Sequence, residues 1–87
     1  MEIVFTNEAR KEFKKLDNSL KILFNKHLEK MKTMENVGRH LRLGVPFYVE
    51  NVGSSSRIVY DIENGKIIIT YFFVTHKDYE NWYVSFR

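Results

Sequence analysis

Asn64-Gly65 constrains this chain more than any other pair of residues. It stands between Ser-Arg-Ile-Val-Tyr-Asp-Ile, which ends at Ile62, and Ile-Ile-Ile-Thr-Tyr-Phe-Phe-Val-Thr, which begins at Ile67. Both flanks are rich in β-branched and aromatic residues, which favour strands. A type I′ turn needs positive φ at both central positions, and Asn followed by Gly meets that demand, so the segment predicts a two-residue β-hairpin. With Glu63 and Lys66 closing the turn as a cross-strand pair, the register follows by counting. Arg57 is expected opposite Phe72, Val59 opposite Thr70 and Asp61 opposite Ile68. On the other face Ile58 meets Tyr71, Tyr60 meets Ile69 and Ile62 meets Ile67. That second set is wholly apolar or aromatic, so it is the expected core face, and Arg57 looks out from the opposite one.

A third strand is expected from Phe47 to Val52, with Gly53-Ser54-Ser55 as the connecting loop. A tight loop at Ser54-Ser55 puts Glu50 opposite Val59 and diagonal to Arg57. Tyr48 and Glu50 then share the face of Arg57, while Phe47, Val49 and Asn51 join the core face. Ahead of this, Glu2 to Phe5 reads as a short first strand. Thr6 or Asn7 caps a helix whose apolar residues Ala9, Phe13 and Leu16 recur at helical spacing. Asp17-Asn18-Ser19 breaks and recaps the chain. Leu20, Leu23, Phe24, Leu28 and Met31 form the stripe of a second helix reaching about Met34, with His27 at the edge of that stripe. Residues 37–46, punctuated by Gly38, Gly44 and Pro46, read as a loop carrying Arg39, His40 and Arg42. After Val74, Tyr79, Trp82 and Tyr83 recur at the spacing of a short helical turn.

The expected architecture is a single α+β domain over residues 1–87. An N-terminal strand is followed by a helical hairpin, then a three-stranded antiparallel meander and a short C-terminal segment. Eighty-seven residues hold one modest core. The hairpin covers one face of the sheet. The other face is expected to be a shallow concavity holding Tyr48, Glu50 and Arg57, with His76, Lys77 and Tyr83 at its rim.

The chain has no cysteine and three scattered histidines. That pattern supplies no ligand spacing for a metal, and no cofactor is expected. The start lacks a basic segment followed by a long apolar one, and the apolar run from Ile67 to Val74 is too short for a bilayer, so a soluble cytoplasmic protein is expected. Net charge is +3, unevenly placed. Residues 1–45 carry ten Lys/Arg against six Asp/Glu, and residues 46–87 carry four against five. A basic N-terminal half favours a polyanion or an acidic partner.

Several stretches together resemble the RelE/ParE toxin superfamily of toxin–antitoxin systems. They are the N-terminal Phe-Thr-x-x-Ala-x-x-Glu-Phe-x-Lys-Leu, the central Leu-Arg-x-Gly-x-Pro, Arg57-Ile-Val-Tyr, and the ending His76-Lys-Asp-Tyr-Glu. The resemblance covers nearly the whole chain, and the ending is most similar to the HigB-type and RelE-type branches. It implies a RelE-like fold and the toxin of a type II toxin–antitoxin system. The activity it implies is that of a ribosome-dependent mRNA endonuclease, an mRNA interferase. The superfamily also holds gyrase inhibitors of the ParE type and proteins without toxicity that bind an antitoxin, and both remain alternatives. Arg57 matches the family arginine that holds the scissile phosphate. Lys77 falls at a second phosphate-binding position, Tyr83 at the C-terminal tyrosine, and His76 where other branches use a histidine. RelE-type toxins carry two lysines in the strand before the arginine, and Tyr48 and Glu50 stand there in this sequence.

RNA cleavage by the neighbouring 2′-OH needs a base for that hydroxyl, positive charge on the phosphorane and an acid for the leaving 5′-oxygen. Glu50 is the expected base. Arg57 and Lys77 are the expected charge stabilisers, with His76 or Tyr83 as the acid. Arg39, His40 and Arg42 are the expected RNA contacts. Arg57 with Glu50 also reads as a plain cross-strand ion pair. The resemblance implies two partners: mRNA on the ribosome, and an acidic, amphipathic antitoxin. An apolar strip of Ile68, Phe72 and Val74 beside Arg57 would need a cover.

Overall fold

The computed structural model describes residues 2–33, 39–40 and 47–85. The chain runs β1 (Glu2–Phe5), α1 (Asn7–Lys15), α2 (Asn18–Thr33), β2 (Arg39–His40), β3 (Tyr48–Val52), β4 (Ser56–Glu63), β5 (Lys66–Phe73) and α3 (His76–Val84). The five strands form one sheet in the order β1-β5-β4-β3-β2. β1 runs parallel to β5 and the other neighbours are antiparallel. The expected α+β order is present, with two additions. Part of the expected loop before Phe47 is an edge strand, and the C-terminal segment is a full helix lying on the sheet's second face.

Side-chain caps start the first two helices where the sequence places them, and the structure adds a third at Thr75. Thr6 Oγ1 accepts the Ala9 N–H at 3.1 Å, Asp17 accepts the Leu20 N–H at 2.9 Å, and Thr75 Oγ1 accepts the Asp78 N–H at 3.1 Å. Each satisfies a backbone donor that the first helical turn leaves without a partner. The helical hairpin covers the face of Ile58, Tyr60, Ile67 and Ile69, all fully buried together with Phe24 and Met31. At about 1.5–3 kcal/mol for each large apolar side chain removed from water, this layer supplies most of the driving force for folding.

The Asn64-Gly65 hairpin forms as expected. Both residues have positive φ, 50° and 75°, and Glu63 pairs with Lys66. The pairing holds through Tyr60 opposite Ile69 and then slips, with Val59 opposite Tyr71, Ile58 opposite Phe72 and Arg57 opposite Phe73. Thr70 is the extra residue of a β-bulge, and its hydroxyl donates to the Val59 carbonyl at 2.9 Å. The bulge corrects the expected pairs of Arg57 with Phe72 and of Ile58 with Tyr71. It rotates Phe72 into the helical core, where its ring lies 5.5, 5.3 and 5.1 Å from those of Phe5, Phe13 and Phe24. Beyond Phe5, no strand among the described residues lies beside the edge of β5, and Glu12 Oε1 on α1 accepts the Phe72 N–H at 3.3 Å.

A second correction lies one hairpin earlier. The loop between β3 and β4 has three residues, Gly53–Ser55, with Val52 opposite Ser56 and Gly53 at φ 65°. The expected two-residue loop is one residue too short. Because strand side chains alternate, that single step moves all of β3 to the other face. Val52 is thereby buried, 1% exposed, and Asn51 faces out opposite Arg57. The apolar gain at Val52 and the polar release at Asn51 explain why this register wins. Tyr48 and Glu50 therefore sit beneath the helices, on the face away from Arg57.

Candidate functional site

Arg57 begins the end of the sheet where the candidate residues collect. The neighbouring Ser56, 5% exposed, donates its hydroxyl to the Val74 carbonyl at 2.7 Å, tying the start of β4 to the end of β5. That tie brings Arg57 beside the first turn of α3. Its Nη1 donates to the Ser56 carbonyl at 2.8 Å, and its guanidinium carbon lies 5.5 Å from the centre of the Tyr79 ring. The aromatic face favours a cation at that distance and holds the guanidinium in place without neutralising it. Such a half-exposed, aromatic-backed cation suits a phosphate, which it can meet with the donors not used by the protein.

α3 packs on this face through Tyr79, Trp82 and Tyr83, over a second apolar cluster of Val49, Val59, Phe47, Tyr71 and Phe73. The strip beside Arg57 is therefore covered by the chain itself. Its aromatic members are Tyr71 and Phe73, in place of the expected Phe72, because of the bulge.

His76 opens α3 with its ring 6.2 Å from that of Tyr79. Its Nδ1 lies 3.2 Å from Glu80 Oε1 one turn on, with both side chains about half exposed. The carboxylate favours the proton on Nδ1 and leaves Nε2 as the acceptor. Tyr83 is half-buried with its ring 6.1 Å from Tyr79, so Arg57, His76 and Tyr83 all border one tyrosine. Lys77 is exposed and, by the 3.6-residue period, falls nearly opposite Tyr79 on the helix, away from the Arg57 cluster.

Glu50 does not join them. It pairs with Ile58 across β3 and β4, and its Oε2 is 3.5 Å from His27 Nδ1 on α2, with side-chain exposures of 13% and 23%. That separation is within reach of an ion pair but long for a hydrogen bond. A base for substrate at the Arg57 end cannot come from this carboxylate, which lies on the other side of the sheet. Of the expected RNA contacts, Arg39 and His40 form β2, while Arg42 lies outside the described residues.

In the sequence Tyr79 reads only as packing, and Glu80 only as the end of the C-terminal motif. The i, i+4 spacing of His76 and Glu80 was the available signal for the pair. Among the described residues no cluster of His, Cys, Asp and Glu could hold a metal ion, and no helix is long and apolar enough to cross a membrane.

The sequence matches no protein-family model and no curated protein. The fold does match solved structures. The isolated E. coli RelE toxin superposes with a TM-score of 0.73 at 17% identity, covering 99% of this chain and 98% of that one. A chain of the intact E. coli RelBE toxin–antitoxin complex gives 0.70 at 21% identity, covering 83% of this chain and 93% of that one. A chain of the YoeB-YefM complex from Staphylococcus aureus gives 0.65 at 17% identity, covering 84% and 94%. The fold is that of RelE, as the resemblance in the sequence implied.

Proposed function

We propose that this chain is the toxin of a type II toxin–antitoxin pair, held inactive by a protein partner, and that its Arg57 end acts on RNA in the cytoplasm. Support comes from the RelE fold over nearly its full length, together with the cluster at that end. The observation that carries the RNA reading is the Arg57 guanidinium seated on Tyr79 beside His76.

In this reading Arg57 binds the scissile phosphate and offsets the charge that develops on it. His76 Nε2 takes the proton from the neighbouring 2′-OH. The 2′-oxygen forms a bond to phosphorus, the bond to the 5′-oxygen breaks, and the imidazolium returns the proton to that leaving oxygen. Glu80 holds the imidazole in the required tautomer, and Tyr83 flanks the substrate. Lys77 on the outer side of α3 serves as a more distant phosphate contact.

The test is primer extension on mRNA from a translating extract given the protein. Cuts that appear with the wild type and vanish with His76→Ala support the reading. Intact mRNA with the wild type overturns it. A second reading is a toxin or antitoxin binder that captures its target without cleaving it, as a gyrase inhibitor would. The position of Glu50 favours it, since among the described residues no carboxylate pairs with Arg57. DNA damage without RNA cuts in induced cells would select it.

A further inference from the structure

We propose that Asn64 is a modification site: its side-chain amide cyclises onto the Gly65 nitrogen and opens to aspartate and isoaspartate, and the isoaspartyl form loosens the β4–β5 hairpin. The sequence holds seven asparagines, and only Asn64 precedes a glycine. The other six precede Glu, Ser, Lys, Val, Val and Trp, whose side chains crowd the nitrogen that would have to attack. Gly65 has no Cβ to hinder that approach. Asn64 and Gly65 are both exposed at the hairpin tip, and nothing lies within 4 Å of where a Cβ on Gly65 would stand. Among the described residues neither the Asn64 side-chain amide nor the Gly65 N–H makes a hydrogen bond, so the fold ties down neither reacting group.

Hydroxide removes the Gly65 amide proton, and the nitrogen forms a bond to Asn64 Cγ. The bond from Cγ to the side-chain nitrogen breaks, and ammonia leaves with a proton from water, which restores the hydroxide. Water then opens the cyclic imide. Attack at Cγ gives aspartate, and attack at the main-chain carbonyl carbon gives isoaspartate. The folded turn holds φ at 50° and 75°, and cyclisation needs rotation about Asn64, so local opening of the tip sets the rate in the chain. Aspartate keeps the turn, because it tolerates the left-handed region. Isoaspartate routes the main chain through Cβ, which no longer matches a type I′ turn. Glu63 opposite Lys66 and Ile62 opposite Ile67 then lose their register, and Ile67 is fully buried. Either product adds one negative charge, taking the net charge from +3 to +2.

The full chain is aged at neutral and at mildly alkaline pH beside the free peptide of residues 58–66, the piece that trypsin cuts out after Arg57 and Lys66. Chromatography with mass spectrometry follows that piece in both samples. It should convert to two products, each heavier by the difference between an acid and an amide. Conversion should be faster at the higher pH and slower in the folded chain than in the free peptide. The other six asparagines should stay intact over the same period, and Asn64→Gln should abolish the change. Ion exchange separates the aged chain by its added charge. The isoaspartyl chain should unfold at lower urea than both the fresh chain and Asn64→Asp. An intact Asn64 after the free peptide has been consumed overturns the proposal, as does earlier conversion of another asparagine. So does an isoaspartyl chain with the urea midpoint of Asn64→Asp. None of these measurements involves RNA or a partner, so their outcome is independent of the proposed function.

Discussion

Replacing Phe72 by Leu tests the bulge at Thr70, because the bulge alone decides which aromatic of β5 lies under the helices. Phe72 is 5% exposed and touches three other phenylalanine rings, whose centres lie 5.1–5.5 Å away. Aromatic pairs contribute roughly 0.5–1.5 kcal/mol each beyond burial, with shared geometry preventing a simple sum. Phe72→Leu keeps the side chain apolar and loses those pairs, so a destabilisation of about 1–3 kcal/mol is expected. Phe72→Ala leaves a cavity as well and should cost about 3–5 kcal/mol. An 87-residue domain has a total stability of roughly 4–13 kcal/mol, so the alanine variant stands at the edge of unfolding and the leucine variant is the one to measure. Urea unfolding followed by far-ultraviolet circular dichroism gives the number. With a slope of about 1–2 kcal/mol per molar, the midpoint should fall by roughly 1–2 M. Tyr71→Leu, on the half-buried face under α3, should cost less than Phe72→Leu. If Tyr71→Leu costs more than Phe72→Leu, the register without a bulge is correct and the reasoning fails.

Gly65→Ala should destabilise the hairpin by about 1–2 kcal/mol through backbone strain alone, since φ is 75° and a Cβ there meets nothing within 4 Å; an unchanged urea midpoint would contradict the type I′ turn. The Tyr60 hydroxyl is buried without a hydrogen-bond partner among the described residues, and burial pushes its pKa well above the usual tyrosine range. Tyr60→Phe should therefore leave stability unchanged or raise it by up to about 1–2 kcal/mol, and a clear loss would mean the hydroxyl is satisfied. Burial also raises the pKa of Glu12 above its ordinary value, outweighing the opposing effect of the Phe72 N–H. The folded state then holds this proton more tightly than the unfolded chain. Its contribution to stability is fully present below the unfolded pKa and is lost as pH rises through the folded one. Glu12→Gln should flatten that part of the stability–pH curve, and an unaltered slope would assign it to other groups.

Local chemistry made much of the fold legible in the sequence. Asn64-Gly65 states its turn through the φ values it permits, and the polar residues Thr6 and Asp17 stop and start helices by side-chain capping. The helical stripe of Phe24, Leu28 and Met31 names its own buried face. The candidate site was harder to read, because its geometry depends on parity over long strands. One extra residue at Thr70 and one more in the loop at Gly53–Ser55 each reverse the faces beyond them. The loop had a signal in Asn51 and Val52, where the shorter loop would bury the amide and expose the valine. The bulge had none as clear, since Tyr71 and Phe72 are both aromatic and either suits a core. Arg57 kept its face because it belongs to the strand from which the counting began. Glu50 lost its place because its position was reached across a loop.

The most direct measurement compares growth of cells induced to express the wild-type chain, Arg57→Ala and Glu50→Gln, each confirmed soluble and folded. The account predicts growth arrest with the wild type and with Glu50→Gln, and restored growth with Arg57→Ala. Arrest by Arg57→Ala together with normal growth under Glu50→Gln would contradict it, placing the working end of the protein beneath the helices beside His27.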